Sequence, residues 1–382
     1  MDIKVMASTK YDHQASGEDL QYIAGKAAGT CYMSSMEFET LTNEPVEKSI
    51  KRANSTRARG HHSVFAHGYI TLQMERVPKL FAMLLNNEKV YTTSEKSARY
   101  TKMELEGVEK YLYEKWLNKF IELITAKYGD KSYFSEDRIR RLAMENARYF
   151  TSVMTPASME YTVSYRQLNY LCGWMQQFEN SNNQIYKMLA PTANEFIQKM
   201  EDFGYLDKDL MNDGKGREFS LIGKRIRQEQ FGECYSVNYM ASFACLAQAQ
   251  RHRTLHYEMM LDKNPEYFIP LILMDNDFLV EEWLSDMEKV EHLVPQGQLV
   301  MVNERGDYEN LILKAKERLC TAAQIEVMRN TKFTIERIIK NTDNEYVRKD
   351  LEAINTGARC TSGFKCATPC AFKEGIDLTR LI

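Results

Sequence analysis

Glu233-Cys-Tyr-Ser-Val-Asn-Tyr-Met240-Ala-Ser-Phe-Ala-Cys-Leu-Ala-Gln-Ala-Gln-Arg251-His252-Arg253 changes its period partway along. The first part alternates in the manner of a half-buried strand, and the second is a helix of small and apolar residues, with Phe243, Ala244, Leu246 and Ala247 on it. That helix closes on Arg251-His252-Arg253, with Gln248 and Gln250 just before it. An arginine offers a planar fork that suits a phosphate or a carbonyl-rich ring edge. Basic residues at a helix C-terminus also simply complement the helix dipole, and the tripeptide alone does not separate the two readings.

Segments on either side have the same helical and strand-like character. Helices are predicted over 17–28, 46–57, 77–87, 105–127, 137–152, 164–178, 183–203, 278–292 and 307–340, with a strand over 69–74 and a polar loop at Thr92-Thr93-Ser94. With 8 Pro and 18 Gly against 21 Met, 22 Tyr and 17 Phe, the composition favours helix. The fold class expected is α/β (α+β) and helix-rich. Each half runs strand-like segment, helix, polar loop, long helices, which suggests a diverged internal duplication. Asn212-Asp213-Gly214-Lys215-Gly216 carries no apolar anchor and is the best interior boundary. The expected domains are therefore 1–212 and 213–345, followed by a cysteine-containing tail over 346–382.

The 382 residues carry 50 Lys+Arg against 53 Asp+Glu, a net charge of −3, which argues against a general nucleic-acid binder. No run approaches the roughly 18 apolar residues of a membrane span. Asp2, Lys4, Lys10, Asp12 and Glu18 interrupt any signal-peptide core, and the eight cysteines are scattered. A soluble, cytoplasmic protein is expected.

Four further segments could carry chemistry. Ser94-Glu95-Lys96-Ser97-Ala98-Arg99-Tyr100 could cradle a nucleotide phosphate, or could be an ordinary helix cap. Gly60-His61-His62-Ser63-Val64-Phe65-Ala66-His67 has histidines without an accompanying acid or cysteine cluster, so hydrogen bonding by the loop is favoured over zinc. Arg318 precedes Ala323-Gln324-Ile325-Glu326 on a predicted helix. Cys360, Cys366 and Cys370 could hold zinc or part of an iron–sulfur cluster, but three ligands fall one short, and a reduced-thiol tail is an equal reading.

Together these pieces resemble the flavin-dependent thymidylate synthase family. Its pattern joins Gly-His-x-(Ser/Thr)-x-x-x-His, Arg-His-Arg, Ser-x-Arg-Tyr and an arginine shortly before Ala-Gln-x-Glu. Gly60–His67 and Ser97-Ala98-Arg99-Tyr100 match in the first half, where Asn87-Glu88-Lys89 stands in place of Arg-His-Arg. Gln248, Arg251-His252-Arg253 and Arg318 match in the second half, where Thr254-Leu255-His256-Tyr257 stands in place of Ser-x-Arg-Tyr. Asn146-Ala147-Arg148 resembles an earlier family arginine, whereas Gly173-Trp174-Met175 lacks the later one. The resemblance covers roughly residues 20–345, as two tandem family-like domains each missing what the other keeps.

The resemblance implies a composite site. Ser97, Arg99, Arg148, Gln248 and Arg251 would bind dUMP, Arg318 would be catalytic, and Ser63, Glu95, Arg251, His252 and Arg253 would hold FAD. It further implies NADPH and methylenetetrahydrofolate as co-substrates, dTMP as product, and a homodimer forming a pseudo-tetramer. The missing motifs leave two alternatives: a hydroxymethylase acting on dUMP or dCMP, or an inactive flavin- and nucleotide-binding scaffold.

Overall fold

The computed structural model describes residues 1–10, 18–31, 33, 34, 36–99, 101, 103–355, 357 and 378–382. In chain order the described residues form β1 (Asp2–Ser8), α1 (Glu18–Thr30), α2 (Glu39–Thr42), α3 (Val46–Ala58), β2 (Tyr69–Pro78), α4 (Lys79–Leu85) and β3 (Tyr91–Glu95). Then come α5 (Gly107–Tyr128), α6 (Glu136–Ala147), β4 (Pro156–Ser164), α7 (Tyr165–Met175), α8 (Gln184–Asp202) and α9 (Lys208–Met211). The rest supplies β5 (Cys234–Ser242), α10 (Phe243–Ala249), β6 (His256–Met260), α11 (Asp277–Lys289), β7 (Leu299–Asp307), α12 (Tyr308–Arg318), α13 (Ile325–Asn341) and α14 (Glu345–Ile354). The expected mixed, helix-rich class is what is found.

Contacts divide the chain into two compact units, and the division is not linear. One unit is Met1–Lys96 with Pro156–Phe219, and the other is Ser97–Thr155 with Ser220–Ile382. These differ from the contiguous segments 1–212 and 213–345 expected above. The physical reason is an aromatic core. Trp116 and Phe120 of α5 pack with Phe150 and with Trp283 of α11, the two indoles edge to face at 4.8 Å. The indole N–H of Trp116 donates to Asp286 Oδ2 at 2.8 Å, and Lys115 pairs with Glu282 at 2.7 Å. Edge-to-face aromatic pairs add to the gain from burying their large apolar area. Main-chain bonds from Gln296 N to Thr151 O and from Gly297 N to Tyr149 O bind the end of this inserted segment to the same unit.

In the first unit the sheet order is β1-β2-β4-β3, all antiparallel. Ile70, Leu72 and Met74 of β2 alternate into the core, as the sequence pattern requires. In the second unit the order is β5-β7-β6, again antiparallel. The two sheets thus share one plan. A strand runs straight into a helix and returns as an edge strand (β2-α4-β3 and β5-α10-β6). A later strand enters between the first two and again runs straight into a helix (β4-α7 and β7-α12). Three of these strand-to-helix junctions are capped: Ser164 Oγ, Ser242 Oγ and an Asp307 carboxylate oxygen accept from the N–H of Gln167, Cys245 and Asn310.

Some local expectations change. Thr92-Thr93-Ser94 lies in strand β3 rather than in a loop, with Thr93 Oγ1 donating to Glu160 O. The predicted helix over 307–340 is interrupted, because residues 319–324 break the helical run between α12 and α13.

The aromatic core generates a prediction. Trp283→Ala should lose about 3–5 kcal/mol of stability, read from the urea midpoint, because its cavity is walled by rigid rings. A change below about 1 kcal/mol would mean that this core does not hold the inserted segment.

Candidate functional site

The geometry is that of the second unit, and it begins where α10 ends. Arg251 and Arg253 are exposed and His252 is buried between them, in a tight turn closed by His252 N donating to Ala249 O. Arg318, the last residue of α12, donates from Nε to His252 Nε2 at 2.5 Å. Nε2 is therefore the acceptor and the ring proton sits on Nδ1. Burial, reinforced by the charges of Arg318 and Lys314, pushes the imidazole pKa down to about 3, so His252 is neutral at ordinary pH. Burial also lowers the pKa of Arg318, opposed by Glu317 and Tyr257 and deepened by Arg99 and Arg251.

Ser97, Arg99 and Arg148 fall in this same unit. Ser97 Oγ accepts from Arg99 N at 3.3 Å and so shapes the turn. Arg99 donates through Nε to Glu145 and through Nη2 to Ala322 O at 3.3 Å. Arg148 caps the C-terminus of α6 at 7 % exposure, and its Nε and Nη2 find no hydrogen-bond partner among the described residues. Gln248 Oε1 is likewise buried and unpartnered. Buried, unsatisfied N–H groups on a cation are costly unless something accepts from them. Such N–H groups would suit an anion with several oxygens.

Behind these side chains lies a buried network. Glu326 accepts from Ser242 N (2.7 Å), Ser242 Oγ (2.6 Å) and Tyr149 O–H (3.0 Å). The Tyr149 hydroxyl oxygen in turn accepts from Gln324 Nε2 at 2.9 Å. Glu326 thus links the start of α10, which presents Arg251–Arg253, to the residue after Arg148. Glu145 and Tyr149 were not singled out in the sequence. The available signal for Glu145 was an acid on the buried face of the helix that ends in Arg148, and Tyr149 carried none.

Other expected site residues lie elsewhere. Ser63 is exposed in a short turn of the first unit, beside His62, whose Nδ1 is 3.2 Å from Tyr170 O–H. Glu95 is also in the first unit, bound by Lys79 and Asn86. Cys360, Cys366 and Cys370, like Tyr100, lie outside the described residues. Among the described residues no group of three or more His, Cys, Asp or Glu is placed to hold a metal, and no helix is long and apolar enough to cross a membrane.

The first unit also explains why Gly173 stands near the end of α7. A Cβ there would lie 2.1 Å from Met211 O, so no side chain fits. The same helix end borders a cavity of about 620 Å³ lined by residues including Trp174, Phe178, Tyr186, Asp213 and Phe219.

The depressed pKa of His252 sets a pH dependence. The unfolded chain takes up a proton near pH 6.5, whereas folded His252 resists it until about pH 3. Stability is full above the unfolded pKa and falls as pH drops toward the folded one, by up to about 1.4 kcal/mol per pH unit from this group. His252→Gln should lose less stability than the wild type between pH values above and below about 6.5, read from urea midpoints. Equal losses would contradict a buried neutral imidazole.

The model of the thymidylate synthase complementing protein family matches residues 14–198. A flavin-dependent thymidylate synthase from Pyrococcus furiosus is 24% identical over 152 residues, 37% of this chain and 58% of that protein. The chain thus spans somewhat more than half the length of this curated relative. Thymidylate synthase X from Helicobacter pylori, solved with FAD and dUMP, aligns with 56% of this chain and 99% of its own at 18% identity and a TM-score of 0.32. The UMP/dUMP methylase PolB from Streptomyces cacaoi, solved with 5-Br dUMP, aligns with 56% and 93% at 13% identity and a TM-score of 0.35. TM-scores this low do not establish a shared global fold. The matched segment contains Gly60–His67, Ser97-Ala98-Arg99 and Arg148 in the order the motifs require, and over this segment the chain is similar to the flavin-dependent thymidylate synthase family.

Proposed function

We propose that this protein is an FAD-dependent thymidylate synthase-type enzyme that methylates C5 of dUMP to give dTMP, with methylenetetrahydrofolate as donor and NADPH as reductant. The observation that carries the reading is that Arg99 and Arg251 lie close enough to Arg318 to act on its charge and neutral His252 accepts from it, while Arg148 of the same unit has unpartnered N–H groups. Repulsion from Arg99 and Arg251 contributes to the lowered pKa of Arg318, and an anionic nucleotide would relieve it.

Each side chain then has a task. Ser97, Arg99 and Arg148 grip the phosphate or sugar of dUMP, with Glu145 holding the Arg99 guanidinium in orientation. Gln248 presents a free acceptor oxygen to the nucleotide. Arg318, oriented by His252, sits at the pyrimidine edge and stabilises negative charge that develops on the ring as C5 becomes nucleophilic. A neutral His252 can accept from Arg318 without adding a competing charge. Arg251, His252 and Arg253 are assigned to FAD in this unit, while Ser63 and Glu95, in the other unit, keep that assignment from the sequence resemblance alone. Exposed guanidiniums and a buried set of donors suit a phosphorylated ligand of that kind. Reduced flavin, when bound, supplies the electrons that turn the transferred methylene into a methyl group.

The matching strand and helix order of the two halves supports a tandem, diverged duplication of the family domain, with a homodimer as pseudo-tetramer. The first copy carries Asn87-Glu88-Lys89 after α4 and Gly173-Trp174-Met175 at the end of α7, so the cationic set survives once per chain.

Turnover of labelled dUMP by the flavin-loaded protein tests the reading. Formation of dTMP is expected, and Arg99→Ala and Arg251→Ala should each lower it by about 10²-fold or more. A hydroxymethylated product would support the hydroxymethylase alternative, and binding of dUMP and FAD without turnover the scaffold. Full activity in either variant would overturn the composite site.

A further inference from the structure

The last residues of the chain return to the interior of the second unit. Ile382 is 1 % exposed and belongs to the core cluster of Trp116, Phe120 and Trp283. Leu381 N donates to Tyr128 O–H at 3.2 Å, and Leu378 and Leu381 pack on Ala323, Ile325 and Met328. Between them Arg380 is buried at 6 % exposure. Its Nη1 donates to Ile382 O and its Nη2 to Ala323 O, while its Nε has no partner among the described residues.

A guanidinium so deeply buried, with one N–H unsatisfied, is a poor way to fill space, and an aliphatic side chain would anchor the terminus without that desolvation. Its surroundings give it a task. Glu145, Tyr133, Cys320 and Arg99 are its charged and titratable neighbours, with Glu145 favouring its charge and Arg99 opposing it. Arg380 holds Ala323 O, and Arg99 holds the preceding carbonyl, Ala322 O. These two carbonyls lie in the short link that joins Arg318 to Gln324 and Glu326. One link is thus clamped by an arginine of the candidate nucleotide loop and by an arginine from the C-terminus.

We propose that Arg380 is a positioning residue that fixes residues 319–324, and that through this link it sets the geometry of Arg318 and Arg99 in the candidate site. The functional half of this inference rests on the dUMP reading above. The C-terminal tripeptide is then part of the site, although it lies outside the segment that matches the family model.

Full-length Arg380→Gln and Arg380→Lys variants test it, with two readouts. In hydrogen–deuterium exchange, Arg380→Gln should speed exchange over 318–326 while β5 and β7 keep wild-type protection. In the flavin-loaded protein, the same variant should raise the KM for dUMP by about tenfold or more and lower kcat, with Arg380→Lys partly restoring both. Localised exchange together with dUMP indifference in the wild type would keep the positioning role and sink only the dUMP reading. Unchanged exchange over 318–326, or exchange raised uniformly across the unit, would overturn the proposal, the latter because the terminus would then be a plain anchor. Unchanged kinetics in a variant with loosened 318–326 would also overturn it.

Discussion

The candidate site depends on one buried carboxylate. Glu326 takes hydrogen bonds from Ser242 N, Ser242 Oγ and Tyr149 O–H, and so joins α13, the start of α10 and the turn that follows α6. Burial raises its pKa while the three donors oppose that rise. A buried acid is tolerated when its oxygens are satisfied, and each partner removed leaves a desolvated group behind. Because the partners sit at the roots of the segments that present Arg148 and Arg251–Arg253, the arginines are set by the same bonds.

The aromatic core of Trp116, Phe120, Phe150 and Trp283 does the complementary work at larger scale. It draws residues 97–155 out of the unit formed by their sequence neighbours and places them with the C-terminal portion of the chain. Motifs that stand far apart in the sequence thereby come into one unit. Asn87-Glu88-Lys89 and Gly173 remain in the other, where the backbone of Met211 leaves no room for a side chain at position 173.

Much of this was legible in the sequence because it is local. The change of period within 233–253 and the Arg-His-Arg, Ser-x-Arg and Ala-Gln-x-Glu segments depend on near neighbours. Strands β4 and β7 were missed because their continuous pairing on both sides is a long-range property and leaves no turn before the following helix. The allocation of α5 and α6 to the second unit rests on contact between Trp116 and Trp283, which are 167 positions apart, and no periodicity reports that. Arg380 was invisible for the same reason, and Glu145 showed only as an acid on a helix face. An acid on a helix and an arginine near a terminus acquire a role only from what folding sets beside them.

On the proposed reading, the cationic residues of the second unit receive a nucleotide beside a flavin. The most direct measurement is the visible absorbance spectrum of the full-length protein supplied with FAD, before and after addition of dUMP. Bound flavin whose bands shift with dUMP is expected, with loss of the shift in Arg99→Ala. A protein that takes up no flavin, or whose flavin bands ignore dUMP, would contradict it.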